Sequence, residues 1–252
     1  MFKNPTKLPY SMHIADSRMR LTEDTILEAL SNHNNRSHEK KERRFKLGLY
    51  CYFKLSQIRI PWVKQYAKSI FRLHSELLGS YATTFYMGNN QWVTCDHPIR
   101  YQPKECETYE DVLRTFVALT HSPTNFAEAT GEPLPEHGDK RLRNTVADKD
   151  YLIITAETKG GKPLEAEIGI HEFELVPCIM IGYQCVFKHY SDQIMASFTI
   201  VKFFKHKAKL LFPCGENGNS GSPLFDLEGR LVGLYPSNYM IELAKDFGRY
   251  VK

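Results

Sequence analysis

The chain has 252 residues, of which 42% are hydrophobic and 25% charged, ordinary values for a globular protein of one domain with room for an added segment. No apolar run approaches the roughly 18 residues that a membrane-spanning helix needs, so we predict no membrane partner. The six cysteines are scattered without a Cys-x-x-Cys pair. We therefore expect free thiols, no metal site and no cofactor.

The net positive charge has a local origin. Residues 36–46 contain six Lys or Arg and two Glu, a charge of +4 that equals the net charge of the whole chain. A solvated linker or helix face is the simplest interpretation, while a nuclear-localisation element or a nucleic-acid contact are the alternatives. No apolar segment follows the first lysines, so no signal peptide is predicted and we expect an intracellular protein, cytoplasmic or nuclear.

Residues 1–66 are predicted to form an N-terminal extension. It contains a predicted short helix at residues 22–30, because Thr22 suits the N-cap position. Three apolar residues at helical spacing would form its buried face, namely Ile26, Leu27 and Leu30. Residues 47–60 are compatible with either a helix or a strand.

From residue 67 onward the pattern changes to short apolar runs of strand length. These runs are residues 69–74, 83–87, 91–94, 151–155, 178–182, 196–203, 209–212, 223–226 and 230–235. Between the second and third runs, the segment 88–90 has the Gly-Asn-Asn composition of a hairpin turn. Many short strands separated by turns predict a β-barrel or a β-sandwich.

Two helices and one long loop interrupt these strands. A helix is predicted at residues 108–119, where Thr108 and Asp111 have the spacing of a capping box. A second helix is predicted at residues 239–250. The polar, proline-containing segment 122–149 is predicted to be a long surface loop.

Ser220 is the first candidate for chemistry, since it lies between glycines in the segment Gly218-Asn219-Ser220-Gly221-Ser222-Pro223. In a tight turn its hydroxyl is exposed, and neighbouring backbone N–H groups can converge on the oxyanion of a tetrahedral intermediate. A serine nucleophile also needs a base, usually His. The α/β-hydrolase elbow is excluded because position 222 is Ser and no His follows Ser220. An order of His, then Asp, then Ser remains possible.

This segment, followed by Leu224-Phe225-Asp226 and Gly229-Arg230-Leu231-Val232-Gly233, closely resembles the nucleophile segment of chymotrypsin-like serine proteases. Asn219 is more similar to the intracellular high-temperature-requirement branch and some viral relatives than to secreted trypsins, which carry Asp there. The resemblance covers about residues 68–252. It implies an all-β dominated fold, with two six-stranded β-barrels and a few helices in a domain at 67–252, beside the α-containing extension at 1–66.

The resemblance also implies a catalytic triad. His97 follows a hairpin and a strand, as the family's histidine does, and Asp150 precedes an apolar strand, with Asp148 as a weaker rival. His97 would then accept the proton of Ser220, and Asp150 would orient the imidazole. The backbone N–H groups of Gly218 and Ser220 would form the oxyanion hole.

By the same resemblance, the primary substrate pocket would have Cys214 at its base and Pro236, Ser237 and Asn238 along its wall. Pro236 departs from the Ser that the family usually has. The neutral thiol at the base gives no reason to expect a preference for Lys or Arg. We therefore expect an uncharged side chain before the scissile bond.

Two functions are compatible with these residues. The first is a serine endopeptidase that cleaves a protein or peptide substrate through an acyl-enzyme intermediate. The second is a catalytically inactive protease fold that binds a peptide or a nucleic acid. Asp96 motivates the second, because the family usually has Ala before its histidine and a carboxylate there could disturb the base. The basic segment 36–46 motivates a nucleic-acid partner.

Overall fold

The fold consists mainly of short β-strands in two sheets, which we describe from a computed structural model. The described residues are 12–34, 51–100, 108–119, 124–125, 130–132, 150–158, 160–185, 189, 192–212, 214–236 and 240–248. The strands are β1 (His13–Ile14), β2 (Cys51–Lys54), β3 (Ile70–Ser75), β4 (Ser80–Gly88), β5 (Gln91–Thr94), β6 (Phe116–Leu119), β7 (Thr124–Asn125), β8 (Thr130–Glu132), β9 (Leu152–Thr155), β10 (Leu175–Gly182), β11 (Met195–Phe204), β12 (Lys207–Leu210), β13 (Ser222–Phe225), β14 (Leu231–Tyr235) and β15 (Met240–Leu243). The helices are α1 (Glu23–Asn34), α2 (Pro61–Tyr66), α3 (His97–Arg100), α4 (Tyr109–Arg114) and α5 (Ala244–Phe247).

The C-terminal sheet contains a closed six-stranded barrel. Its strand order is β11-β10-β13-β14-β15-β12, and β12 pairs back onto β11 to close the ring. Closure removes exposed strand edges, and side chains fill the interior of a barrel of this size. Two N-terminal strands extend the sheet outward, since β2 pairs with β11 and β1 pairs with β2.

The N-terminal sheet has seven strands in the order β7-β6-β3-β4-β5-β9-β8 and curls without closing through any described pairing. Its β4–β5 hairpin turns at Asn89 and Asn90, which both have left-handed backbone angles, with φ of 52° and 61°. Asparagine tolerates this conformation better than most residues, which is why an Asn pair can take the two-residue turn. The turn predicted at residues 88–90 is confirmed.

The hydrophobic core joins the two sheets. One buried cluster contains Phe85 and Val93 of the N-terminal sheet together with Ile181, Phe225 and Leu234 of the barrel. Each of these side chains is at most 1% exposed. The sheets are thus held against each other by apolar packing, and any residues at their junction are placed by that core.

The predicted double-barrel architecture is confirmed, and each of the nine predicted strand segments overlaps an observed strand. The helix predicted at 108–119 is too long, because α4 ends at Arg114 and Phe116–Leu119 pairs with β3 as β6. The capping box of Thr108 and Asp111 is present. Here cross-strand pairing of an apolar run prevails over its continuation as a helix.

Three other local predictions need correction. Among the described residues of the helix predicted at 239–250, Met240–Leu243 form strand β15 and Ala244–Phe247 are α-helical. The loop predicted at 122–149 contains the short strands β7 and β8. On α1, Ile26 is buried as predicted, but Leu27 is 51% exposed.

The described part of the predicted N-terminal extension packs against the barrel. Strand β2 settles the open question at residues 47–60, where a strand is followed by the 3-10 turn Leu55–Gln57. Backbone pairing of β2 with β11 makes this strand part of the barrel sheet. The domain boundary between residues 66 and 67 stays a prediction, and the basic segment 36–46 lies outside the described residues. None of the helices in the described ranges is long and apolar enough to cross a membrane.

Trp92 provides a test of the N-terminal core. Its side chain is fully buried, and its Nε1–H donates to the Ala156 carbonyl at 3.1 Å. Its ring also packs edge-on against Phe71, with 4.9 Å between the ring centroids. We expect Trp92→Ala to lower the free energy of unfolding by about 3 to 5 kcal/mol, measured by urea denaturation. The control Leu77→Ala, at a turn residue that is 50% exposed, should change it by less than about 0.5 kcal/mol. Equal losses in both variants would contradict the described packing.

Candidate active site

Ser220 lies in a tight turn just before strand β13. The flanking glycines Gly218 and Gly221 have left-handed φ angles of 95° and 87°. The turn is held by two backbone hydrogen bonds, from Gly221 N to the Tyr235 carbonyl at 2.7 Å and from Ser222 N to the Asn219 carbonyl at 2.9 Å. The glycines are needed because other residues adopt this backbone conformation only with strain.

The turn is attached directly to the N-terminal sheet through Thr83 of β4. The Thr83 backbone N–H donates to the Ser220 carbonyl at 2.7 Å, and its hydroxyl donates to the Gly218 carbonyl at 3.0 Å. A Cβ on Gly221 would collide with the Thr83 carbonyl oxygen and come within 2.5 Å of Thr94 Oγ1. The Ser220 turn of one sheet is therefore docked on β4 and β5 of the other.

His97 and Asp150 form a close pair beside this turn. His97 begins α3 three residues after β5 ends, and Asp150 lies two residues before β9. Because Thr94 of β5 pairs with Leu152 of β9, the strand register brings both side chains to the same end of the sheet. The distance from His97 Nδ1 to Asp150 Oδ2 is 2.6 Å.

The Asp150 carboxylate is held by backbone donors as well as by the imidazole. Its Oδ1 accepts hydrogen bonds from the backbone N–H of His97 at 2.8 Å and of Asp96 at 3.0 Å. Hydrogen bonds of this kind favour the ionised form of a carboxyl group. An ionised carboxylate can only accept hydrogen bonds, so this contact suits the imidazole tautomer that carries its proton on Nδ1 and leaves the Nε2 lone pair available.

Sequence reasoning missed Glu242, which also positions Asp150. Glu242 lies on β15 of the barrel, and its Oε1 accepts a hydrogen bond from the Asp150 backbone N–H at 2.8 Å. The aspartate is thus tied to both sheets. The residue stands within a segment predicted to be helical, so no local signal pointed to this contact.

The predicted oxyanion donors lie in the same turn as the serine. Within the described part of the chain, the backbone N–H groups of Gly218 and Ser220 donate to no other group, whereas the N–H between them, of Asn219, donates to the Glu216 carbonyl at 3.0 Å. Among the described residues, there is no hydrogen bond between Ser220 Oγ and the His97 imidazole. In free enzymes this bond is often long and tightens when substrate binds.

Known proteins resemble this chain in structure but not in sequence. Neither a protein-family model nor a curated protein matches the sequence. The inactive form of a serine-to-alanine mutant of Rv3671c from M. tuberculosis H37Rv is similar, with a TM-score of 0.52, 12% identity, and coverage of 76% of this chain and 88% of that chain. A Glu endopeptidase in complex with MPD is also similar, with a TM-score of 0.51, 14% identity, and coverage of 73% and 89%. The chain has the chymotrypsin-like serine protease fold.

Within this fold, the predicted substrate-pocket residues fall into two groups. Cys214 and Pro236 are buried, and Cys214 Sγ lies 3.8 Å from the sulfur of Met180. The Cys214 carbonyl accepts a hydrogen bond from the Ser197 hydroxyl, which fixes the backbone at this point. Ser237 and Asn238 lie outside the described residues. The composition of the pocket therefore stays a prediction.

Asp96, the residue that departs from the protease resemblance, is 7% exposed. Its backbone supports the site, since the N–H donates to Asp150 and the carbonyl accepts from Ile99 N at 2.9 Å within the first turn of α3. These bonds are independent of the side chain.

The thiols near the site are poor nucleophiles. Cys95, two residues before His97, is fully buried, and burial raises the pKa of its thiol well above the ordinary value. Burial also raises the pKa of Cys185, which donates from Sγ to the Asn217 carbonyl at 3.1 Å. A raised pKa keeps a thiol protonated and unreactive. Within the described ranges no group of three or more His, Cys, Asp or Glu side chains could hold a metal ion.

Gly221 tests the docking of the Ser220 turn. Gly79 is a matched control, because its φ is also left-handed at 56° but a Cβ there would meet nothing within 4 Å. We expect Gly79→Ala to cost about 1 to 2 kcal/mol of unfolding free energy from backbone strain alone. Gly221→Ala should cost about 3 kcal/mol or more, because the collision with Thr83 adds to the strain. Similar losses in the two variants, measured by thermal unfolding, would argue against the docked turn.

Proposed function

We propose that the chain is a serine endopeptidase in which Ser220, His97 and Asp150 act as the catalytic triad. The observation that carries the proposal is the 2.6 Å contact between His97 and Asp150, at the end of strands on which the Ser220 turn is docked. The protease fold supports it, since structural neighbours of the same fold are proteases. The substrate is a protein or peptide.

In the first step, Ser220 Oγ attacks the carbonyl carbon of the scissile bond, and its proton passes to His97 Nε2. The carbonyl π electrons move to oxygen, and the N–H groups of Gly218 and Ser220 stabilise that oxyanion. One such donor is worth about 3 kcal/mol of barrier. As the C–N bond breaks, His97 returns the proton to the leaving amine. Water then attacks the acyl-enzyme and gives its proton to His97 Nε2, and His97 returns this proton to Ser220 Oγ as the ester bond breaks.

Asp150 keeps His97 in the tautomer that can act as a base and stabilises the imidazolium that forms. Three hydrogen bonds reach its carboxylate from the His97 ring, the His97 N–H and the Asp96 N–H. Glu242 holds the Asp150 backbone from the other sheet. The chemistry needs neither a metal nor an organic cofactor.

Reaction with a fluorophosphonate probe tests the proposal directly. Folded wild-type protein should be labelled once, at Ser220, and Ser220→Ala should abolish labelling while it leaves thermal unfolding unchanged. Intact mass and peptide mapping measure both results. Folded protein that is not labelled under any condition would favour the alternative, a catalytically inactive protease fold that binds a peptide or nucleic acid.

Asp150→Asn tests the role of the acid separately from the nucleophile. The amide keeps the size of the side chain but can donate to His97 Nδ1, which favours the wrong tautomer of the imidazole. We expect the rate of labelling to fall by about 10⁴-fold, as in triads in which the acid is replaced in this way. A fall of less than about tenfold would remove Asp150 from the triad and return attention to Asp148.

A further inference from the structure

A buried hydrogen-bond network surrounds the side chain of Asn219, the residue before the candidate nucleophile. Asn219 Oδ1 accepts from the Tyr52 hydroxyl at 2.5 Å and from the Glu216 backbone N–H at 3.0 Å, and Nδ2 donates to the Tyr183 carbonyl at 2.7 Å. Asn219 and Tyr52 are each 1% exposed. We call these four residues the Asn219 network.

Tyr52 brings the N-terminal strands into this network. It lies on β2, whose partners are β1 on one side and β11 on the other. Burial, and then the charge of Glu216, raises the pKa of Tyr52 well above its ordinary value, so its hydroxyl keeps the proton that it donates. A second contact comes from Met12, the residue before β1, whose backbone N–H donates to Glu216 Oε1 at 2.9 Å.

The network also reaches the first sheet and the backbone on both sides of Asn219. Tyr183 N donates to Thr83 Oγ1 at 3.0 Å, and that hydroxyl in turn donates to the Gly218 carbonyl. Asn219 stands between Gly218 and Ser220, so its side chain sets the orientation of the two peptide groups that flank it. The group before Asn219 carries the Gly218 carbonyl, and the group after it carries the Ser220 N–H, one of the two candidate oxyanion donors. An amide held at both ends is well suited to this task, because rotation about its side chain would break three hydrogen bonds.

We propose that Tyr52 is a positioning residue for the Ser220 turn: through Asn219, the N-terminal strands hold the backbone of this turn, and with it the Ser220 N–H, in a geometry that can bind an oxyanion. This inference rests on the proposed function for its catalytic consequence. Its conformational part, the ordering of residues 216–222 by Tyr52, holds whether or not the chain is a protease.

Tyr52→Phe removes only the hydroxyl, so the buried side-chain oxygen Oδ1 of Asn219 loses one of its two hydrogen-bond donors. The matched control is Tyr86→Phe, which removes a buried hydroxyl that accepts from Asn90 N at 3.3 Å in the β4–β5 hairpin. We expect amide hydrogen exchange at residues 216–222 to become about tenfold faster or more in Tyr52→Phe, and to stay unchanged in Tyr86→Phe. Fluorophosphonate labelling should slow by about tenfold or more in Tyr52→Phe alone.

The exchange measurement separates this inference from the proposed function. If wild-type protein is not labelled, the proposed function fails, and the exchange rates still decide the conformational part. Unchanged exchange at residues 216–222 in Tyr52→Phe would overturn the inference. Equal acceleration throughout the barrel would overturn it as well, since that is the result expected of a hydroxyl with a merely structural role.

Asn219→Asp supplies a second test that does not depend on Tyr52→Phe folding. When protonated, the introduced carboxyl can donate to the Tyr183 carbonyl as the amide does; when ionised, it has no proton to donate and faces that oxygen with a negative charge. The ratio of labelling rates, variant to wild type, should therefore fall as pH rises through the pKa of the introduced carboxyl, and so should the relative protection of residues 216–222. A ratio that is independent of pH between 4 and 9 (about five units, enough to span the titration of a carboxyl) would contradict the network.

Discussion

The hydrogen bond from the Thr83 N–H to the Ser220 carbonyl joins the two halves of the molecule at the point where the site is built. Thr83 belongs to one sheet and Ser220 to the other, and the two atoms are 2.7 Å apart. Gly221 permits this approach, because any side chain there would occupy the space of Thr83 and Thr94. His97, which follows β5, and the Ser220 turn thus come together only if the sheets pack in this register.

The core that holds the sheets together also limits how far the site can shift. Phe85 and Val93 belong to the strands on which the turn rests, and they are buried against Ile181 and Phe225 of the barrel. Close-packed interiors deform little, so a displacement of one sheet would create a cavity or a collision in this cluster. Asp150 is tied to both sheets by His97 on one side and Glu242 on the other.

The parts of the fold and of the site that depend on local chemistry were predictable from sequence. The glycines around Ser220 mark a turn, the Gly-Asn-Asn segment marks the hairpin before His97, and Thr108 with Asp111 marks a helix start. Contacts between distant segments had no such signal. Tyr52 reaches Asn219 across 167 positions of the chain, and Glu242 reaches Asp150 across 92. Residues 116–119 and 240–243 were misassigned for the same reason, since pairing with distant strands decided their structure.

A structure of the chain after reaction with a peptidyl phosphonate measures the central claim most directly, because the adduct imitates the tetrahedral intermediate. It should show phosphorus bonded to Ser220 Oγ, with the phosphonyl oxygen within hydrogen-bond distance of the Gly218 and Ser220 N–H groups. His97 Nε2 should lie within hydrogen-bond distance of Ser220 Oγ, and the His97–Asp150 contact should persist. An adduct on another residue, or a phosphonyl oxygen that no backbone N–H of this turn reaches, would contradict the assignment of the site.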